Sequence, residues 1–373
     1  MITSKILKVF THTDYRLYRK VIQYLFLATV VLIGVKFTLF VGQLERGILP
    51  TITRPPGIEA FLPISALISL KYWLVSGIFN TIHPSSLIIL MLAMATGLLL
   101  KRGFCSWICP FGLLNEYLSR LHKYIFRKNI KLPLFLDYPL RSLKYLLLAF
   151  FLWAIAVQMD ATALDYFISS PYNMVADIKM LYFFKEITPF AFWVLTSLFL
   201  LSILIRNFWC RYLCPYGALI GALSFLSIFK IHRNEKNCTS CMKCTSSCPM
   251  DINIHKTSCV FSDECHACMK CVDACPEKNT LSFSILKQKG IVKPLLYAAT
   301  ICLLFIGGSL AGRMAGYWQN SISTHEYLFH IKNLKLPVYQ HTRGQVSEYN
   351  KEGWLRMMQQ IKASGKQEKN SQF

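Results

Sequence analysis

Runs of apolar residues separated by short polar and basic stretches dominate the chain between residues 21 and 310. The first, 21–41, has the length a helix needs to cross a hydrocarbon core of about 30 Å, roughly 20 residues. Further runs lie at 87–100, 143–158, 189–205 and 291–310. The pattern predicts an α-helical polytopic membrane protein with about five spanning helices, the last extending to about 312. A sixth apolar stretch, 58–79, carries Pro63, Lys71 and Gly77. It reads as an interfacial or re-entrant segment, because a full crossing there would put the basic loop after Leu100 on the outer side.

Composition supports this reading. The chain has 373 residues, 54% hydrophobic and only 16% charged, which excludes a water-soluble enzyme built around one core. Lys and Arg number 41 against 19 acids, a net charge of +22. In a membrane protein such an excess marks the cytoplasmic loops, and no basic-aromatic module of a nucleic-acid binder accompanies it. Lys5, Lys8, Arg16, Arg19 and Lys20 hold the N-terminus inside, and the first span reads as a retained anchor rather than a cleaved signal. Lys101, Arg102, Arg120, Lys123, Arg127, Lys128, Lys131 and Arg141 mark the next loop as internal. The loop 160–188 sets Asp160, Asp165, Asp177 and Glu186 against Lys179 and Lys185 alone, and is placed outside.

The organisation that follows is a membrane core over 1–229, a cysteine-rich module over 230–290, a fifth span over 291–312 and a tail over 313–373. The tail falls outside by parity. Its Trp318, Tyr327, Tyr339 and Trp354 suggest a small ordered appendage at most, and 362–373 reads as disordered. Lys36 inside the first span is expected to snorkel to an interface. His83 is expected to be a lone interfacial histidine.

The chain has 14 cysteines. Cys238-x2-Cys241-x2-Cys244-x3-Cys248-Pro249 is followed by Cys265-x2-Cys268-x2-Cys271-x3-Cys275-Pro276. Three cysteines spaced by two residues wrap three corners of a cubane, and the fourth, turned away by its proline, reaches the other cluster. One [4Fe-4S] cluster is therefore assigned to Cys238, Cys241, Cys244 and Cys275, and a second to Cys248, Cys265, Cys268 and Cys271. Zinc fits this doubled spacing poorly. Cys259 reads as a bystander and Cys302 as a small core residue.

A second repeat lies at the ends of two spans. Cys105-Ser106-Trp107-Ile108-Cys109-Pro110-Phe111-Gly112 matches Cys210-Arg211-Tyr212-Leu213-Cys214-Pro215-Tyr216-Gly217. Each proline is expected to push Cys109 or Cys214 out of helical geometry and to start a new helix, whose dipole favours a thiolate. Four such thiols, Cys105, Cys109, Cys210 and Cys214, make a candidate site for a soft metal, copper or a further iron–sulfur centre, or a redox dithiol. Neither a c-type haem signature nor a nucleotide fingerprint is present.

Apolar spans with paired C-x3-C-P motifs, followed by a two-cluster cysteine module, resemble the NapH/CcoG/NosR family of membrane iron–sulfur proteins, in a YccM-like layout. The resemblance covers residues 21–310. It implies a bacterial inner-membrane oxidoreductase of the electron-carrier kind, exchanging electrons between the quinone pool or a cytoplasmic donor and a protein redox partner. The alternative it implies is copper handling or copper reduction during assembly of a respiratory metalloenzyme, using the C-x3-C-P cysteines. Against that resemblance, the chain is expected to be without the flavin-binding outer domain of the NosR type and the immunoglobulin-like domain of the CcoG type.

Overall fold

The computed structural model describes residues 15–127, 130, 132–277, 279–285, 289–342 and 345–371. Lys5, Lys8, Lys128 and Lys131 of the basic loops lie outside them. The principal helices are α1 (Tyr15–Glu45), α2 (Pro63–Ser76), α3 (Pro84–Leu100), α4 (Pro110–Phe126), α5 (Leu134–Ala156), α6 (Ala161–Ile168), α7 (Ala176–Lys185), α8 (Pro189–Leu204), α9 (Pro215–Leu223), α10 (Pro294–Met314), α11 (Thr324–Lys332) and α12 (Lys351–Ser371). Proline starts six of them, α2, α3, α4, α8, α9 and α10. Its fixed φ suits the first helical position, where its missing N–H has no intrahelical partner to lose.

Among the described residues α1, α5 and α10 are long and apolar enough to cross a membrane, with 31, 23 and 21 residues. The chain is a membrane protein. The expected span at 189–205 is α8, which meets α7 across a short break at 83°; the pair makes a fourth crossing only if taken as one broken span. The expected span at 87–100 is α3, whose 17 residues leave it below the length of the others. Five full crossings are therefore not what the helix lengths establish. The helix expected at 143–158 begins nine residues earlier, at Leu134, and stops at Ala156. Its first turns carry Pro139, near enough to the start that a single ladder bond is lost. The stretch 58–79 forms a 3-10 turn, Pro56–Phe61, and the 14-residue α2, which ends at Gly77 in the left-handed conformation, φ 71°.

The chain divides into two compact units. The first comprises 1–29, 91–149 and 193–308. It contains a three-stranded antiparallel sheet of β1 (Phe229–Arg233), β2 (Leu281–Ile285) and β3 (Lys289–Ile291), with β2 central and Ile231 opposite Phe283. The cysteine-rich loops run between β1 and β2. Phe283 stacks on Phe229 and meets Tyr297 edge-on at 5.2 Å, and Tyr297 lies against Trp107 at 4.9 Å. One apolar core thus joins the sheet to α10 and to the first C-x3-C-P motif.

The second unit comprises 30–90, 150–192 and 309–373. Phe37, Phe40 and Leu44 of α1 share a core with Ile58, Val175, Ile178, Tyr327 and Tyr339. The tail is therefore more than an appendage, because two of its tyrosines complete this core. Of the stretch expected to be disordered, 362–371 is helical in α12, which runs to Ser371, and 372–373 lie outside the described residues. Its Trp354 packs on His330 and Tyr339 of the tail. His83 is not a lone interfacial residue. It is fully buried, with Nε2 2.6 Å from the Asn173 carbonyl and Nδ1 3.5 Å from Glu59. Arg54 pairs there with Glu59 at 2.9 Å and Asp177 at 2.7 Å. Lys36 is exposed on α1.

Candidate functional site

All the cysteines singled out in the sequence apart from Cys259 and Cys302 fall into three groups within the first unit. Cys238, Cys241, Cys244 and Cys275 line one small cavity. Cys248, Cys265, Cys268 and Cys271 line a second, beside Met250 and Met269. Cys248 belongs to the first run in sequence, yet its sulfur faces the second cavity. The loops close tightly because Ser240, Met242, Ala267 and Met269 adopt left-handed backbone, with φ between 49° and 59°. These turns aim backbone N–H groups at sulfur, from Ser240 to Cys238 and from Ala267 to Cys265. Burial, and then neighbouring Cys268, push the Cys248 thiol up to about 12. Four crowded sulfurs, of which Cys248, Cys265 and Cys271 are pushed by burial away from the free thiolate, met by inward N–H donors, suit an iron–sulfur cluster, whose cations hold sulfur as thiolate. Cys259 lines neither cavity and sits 4.0 Å from His232.

The two sets differ in exposure. Cys241 of the first set is exposed, whereas Cys248 and Cys271 of the second are buried. What buries the second set is the C-x3-C-P repeat. Past the end of α3, Lys101 Nζ donates to the Ser262 carbonyl at 2.9 Å and Arg102 Nη1 to that of Asp263 at 3.0 Å. Ser106 Oγ donates to the His266 carbonyl at 2.5 Å, and Trp107 Nε1 to that of Ala267 at 3.0 Å. The second copy holds the other side of the same set. Arg206 reaches the Cys248 carbonyl at 3.2 Å, Asn207 the Pro249 carbonyl at 2.8 Å, and Arg211 the Asp251 carboxylate at 3.1 Å. From α5, Lys144 and Tyr145 bond Glu264 and Asp263.

The third group is Cys105, Cys109, Cys210 and Cys214. Cys109 and Cys214 are in extended backbone, ψ 123° and 104°, each capping a helix that begins with proline. The Gly217 N–H donates to Cys214 Sγ at 3.2 Å, and Asn115 Nδ2 lies 3.3 Å from Cys210 Sγ. The four thiols are close enough to repel one another as thiolates. Here the expected helix-dipole effect loses. Burial, then Cys105, push Cys109 up to about 12 against the Gly112 and Phe111 N–H groups, and burial raises Cys210 and Cys214 too. Among the described residues no three His, Cys, Asp or Glu side chains converge as a single bound ion requires, and nothing favours the copper reading. The repeat's glycine is obligatory in the first copy, where a Cβ on Gly112 would lie 1.9 Å from the Cys105 carbonyl oxygen.

Cys105, Cys210 and Cys268 together line an open cleft of about 180 Å³. Its floor includes Glu116 of α4, which takes Arg19 through both carboxylate oxygens at 2.9 and 3.2 Å, with Lys270 at 3.3 Å and Arg120 at 2.9 Å. Burial alone would raise Glu116, yet Arg19 and Lys270 hold it at about 2. Sequence reasoning counted Arg19, Lys101 and Arg102 only as topology signals and missed Glu116. Being one of two acids, with Asp137, in a loop of eight basic residues was the available hint.

Apolar helices that carry clustered cysteine sets define a membrane-bound, ferredoxin-type electron carrier. A family model described as "4Fe-4S binding domain" matches residues 82–133 and 187–234, one C-x3-C-P copy each, and a "4Fe-4S dicluster domain" model matches 230–276. YccM of Escherichia coli (strain K12) is 41% identical over 316 residues, covering 83% of this chain and 88% of its own. The chain belongs to the NapH/NosR-like family of 4Fe-4S ferredoxin-type proteins, as a YccM-like member. More distant relatives include NirI of Paracoccus denitrificans, 32% identical over 42% of this chain and 22% of its own, and the ferredoxin-type protein NapH of Escherichia coli (strain K12), 25% identical over 40% and 48%. No solved structure matches. The protein's role is electron transport through iron–sulfur centres.

Proposed function

We propose that the chain relays electrons between the membrane quinone pool and a protein redox partner: a quinol meets the cleft lined by the C-x3-C-P thiols, loses two electrons and two protons, and the electrons pass singly to the proximal set (Cys248, Cys265, Cys268, Cys271) and on to the distal set (Cys238, Cys241, Cys244, Cys275). Each set would hold one [4Fe-4S] cluster, and a bound cluster supplies a centre that takes or gives one electron. The observation that carries this reading is the shared cleft, in which thiols of both C-x3-C-P copies and a proximal-set cysteine face one space. The chain's own residues keep that order. Ser106, Trp107, Arg206 and Asn207 hold the proximal loops by their carbonyls, so the gap between thiols and proximal set does not drift. Lys101 and Arg102, beside Cys265, favour added negative charge there. The basic loops support a cytoplasmic position for the N-terminus and both sets, in a bacterial inner membrane, and parity over an odd number of crossings would put the tail outside.

The test is anaerobic addition of a reduced quinol to the purified, lipid-embedded protein, followed by electron paramagnetic resonance. Reduced-cluster signals are expected with wild type. The Cys105→Ser/Cys210→Ser variant should be reduced at least about tenfold more slowly by quinol, a barrier change of about 1.4 kcal/mol, and at the wild-type rate by dithionite. Clusters that dithionite reduces and no quinol does would refute the quinol assignment.

A further inference from the structure

The two cysteine runs contain the same four residues at their centres, Cys241-Met242-Lys243-Cys244 and Cys268-Met269-Lys270-Cys271. Their backbones match as well, with φ of 59° at Met242 and 56° at Met269. Their surroundings do not. Met269 is 1% exposed and lies in the core with Ile231 and Tyr297. Lys270 takes the carboxylate of Glu116 at 3.3 Å. Met242, by contrast, is 52% exposed beside the exposed Cys241. Lys243 is exposed, as is Lys236 two residues before Cys238 in the chain, and neither has a carboxylate partner among the described residues. Folding therefore covers one copy of the Met–Lys pair with an apolar surface and an acid, and leaves the identical copy bare around the distal set.

We infer that this bare face, Met242 and Lys243 beside Cys241, with exposed Lys236 two residues before Cys238 in the chain, is the docking surface for a soluble redox protein whose own cofactor is ringed by carboxylates. The covered copy shows what fits: an apolar contact for the methionine and a carboxylate for the lysine, as Glu116 serves Lys270. An exposed methionine adapts to varied partner surfaces, and the lysines steer an acidic partner and fix its orientation. Contact over Cys241 sets up a one-electron exchange, in which the partner's cofactor loses one electron and the centre held by the distal set gains it, or the reverse. The inference rests on the relay reading, in which the distal set is the end facing a partner.

The probe is a small acidic flavodoxin, with a basic c-type cytochrome as its charge-opposite control, measured by interferometry on holoprotein in nanodiscs. Wild type should bind flavodoxin with an affinity that falls steeply between low and high salt. The Lys236→Glu/Lys243→Glu variant should bind it at least about tenfold more weakly and gain affinity for the cytochrome. Met242→Ala should raise the flavodoxin off-rate severalfold. Equal flavodoxin affinity in wild type and the charge-reversed variant, or salt-independent binding, would overturn the proposal. Photoreduction by deazariboflavin, which needs no docking, checks that each variant keeps its clusters. Quinol reduction is scored separately, so loss of the quinol step and loss of the docking face are read apart.

Discussion

Gly112 and Glu116 sit one turn apart on the same helix and act by opposite physics. At Gly112 the constraint is steric: a Cβ there would lie 1.9 Å from the Cys105 carbonyl oxygen, which neither backbone can yield. Gly112→Ala should therefore destabilise the protein by at least about 1–3 kcal/mol and disturb the thiol site. Gly34→Ala, with nothing within 4 Å, should leave the melting temperature unchanged. Differential scanning of both variants in detergent decides it. At Glu116 the constraint is electrostatic. Glu116→Gln leaves Arg19 and Lys270 short of their counter-charge, a loss of about 3–5 kcal/mol for a broken buried pair. Because folding lowers this carboxyl to about 2, its contribution is fully present above the ordinary glutamate range, near pH 4.3, and disappears as pH falls through about 2. The wild type should lose stability over that window, and Glu116→Gln should lose less of it. A variant whose acid unfolding tracks the wild type would place the stabilising pair elsewhere. The sequence marks these two residues unequally. Gly112 was legible as part of a repeat, and Glu116 matters only through Arg19 and Lys270, far away along the chain.

Among the elements, those with a local code were the legible ones. Two residues between cysteines and a proline after the fourth describe a cluster loop without reference to the rest of the chain, and the left-handed turns at Met242 and Met269 are what that spacing needs. A helix start at Pro110 or Pro215 is equally local. Helix ends were less legible. The first turns of α5 were hidden because Asp137, Pro139 and Arg141 interrupt the apolar run, while in the fold Asp137 is held by Arg141 at 2.5 Å, Tyr212 at 2.5 Å and Arg211 at 2.9 Å. The crossing over of Cys248 carries a prediction. Cys248→Ser should remove the cluster of the second cavity and spare that of the first, while Cys275→Ser should do the reverse, each costing roughly half the iron. Iron analysis with Mössbauer spectroscopy checks it, and loss of the same centre in both variants would contradict the partition.

For the molecule as a whole, hydropathy and charge made the membrane class readable, because both act through simple sums along the chain. Long-range pairing was not readable. Arg19, Lys101 and Arg102 count as positive charges in any topology argument, yet each is 2% exposed or less, holding a carboxylate or a cluster-loop carbonyl. The tail looked loose because Tyr327 and Tyr339 find their partners on α1 and near α7 rather than beside themselves. Its placement outside is a proposal from parity over an odd number of crossings, made against the tail's own basic charge. A C-terminal alkaline-phosphatase fusion should accordingly be active and a C-terminal green fluorescent protein dark, and the opposite pair of results would reverse the topology. The order of the relay is the central claim, and freeze-quench paramagnetic resonance after mixing with reduced quinol tests it most directly, with the Cys248→Ser and Cys275→Ser variants identifying each signal. The signal of the centre held by Cys248, Cys265, Cys268 and Cys271 should rise first and that of the distal set follow. A distal signal that rises first, or that still rises at the wild-type rate in Cys248→Ser, would contradict it.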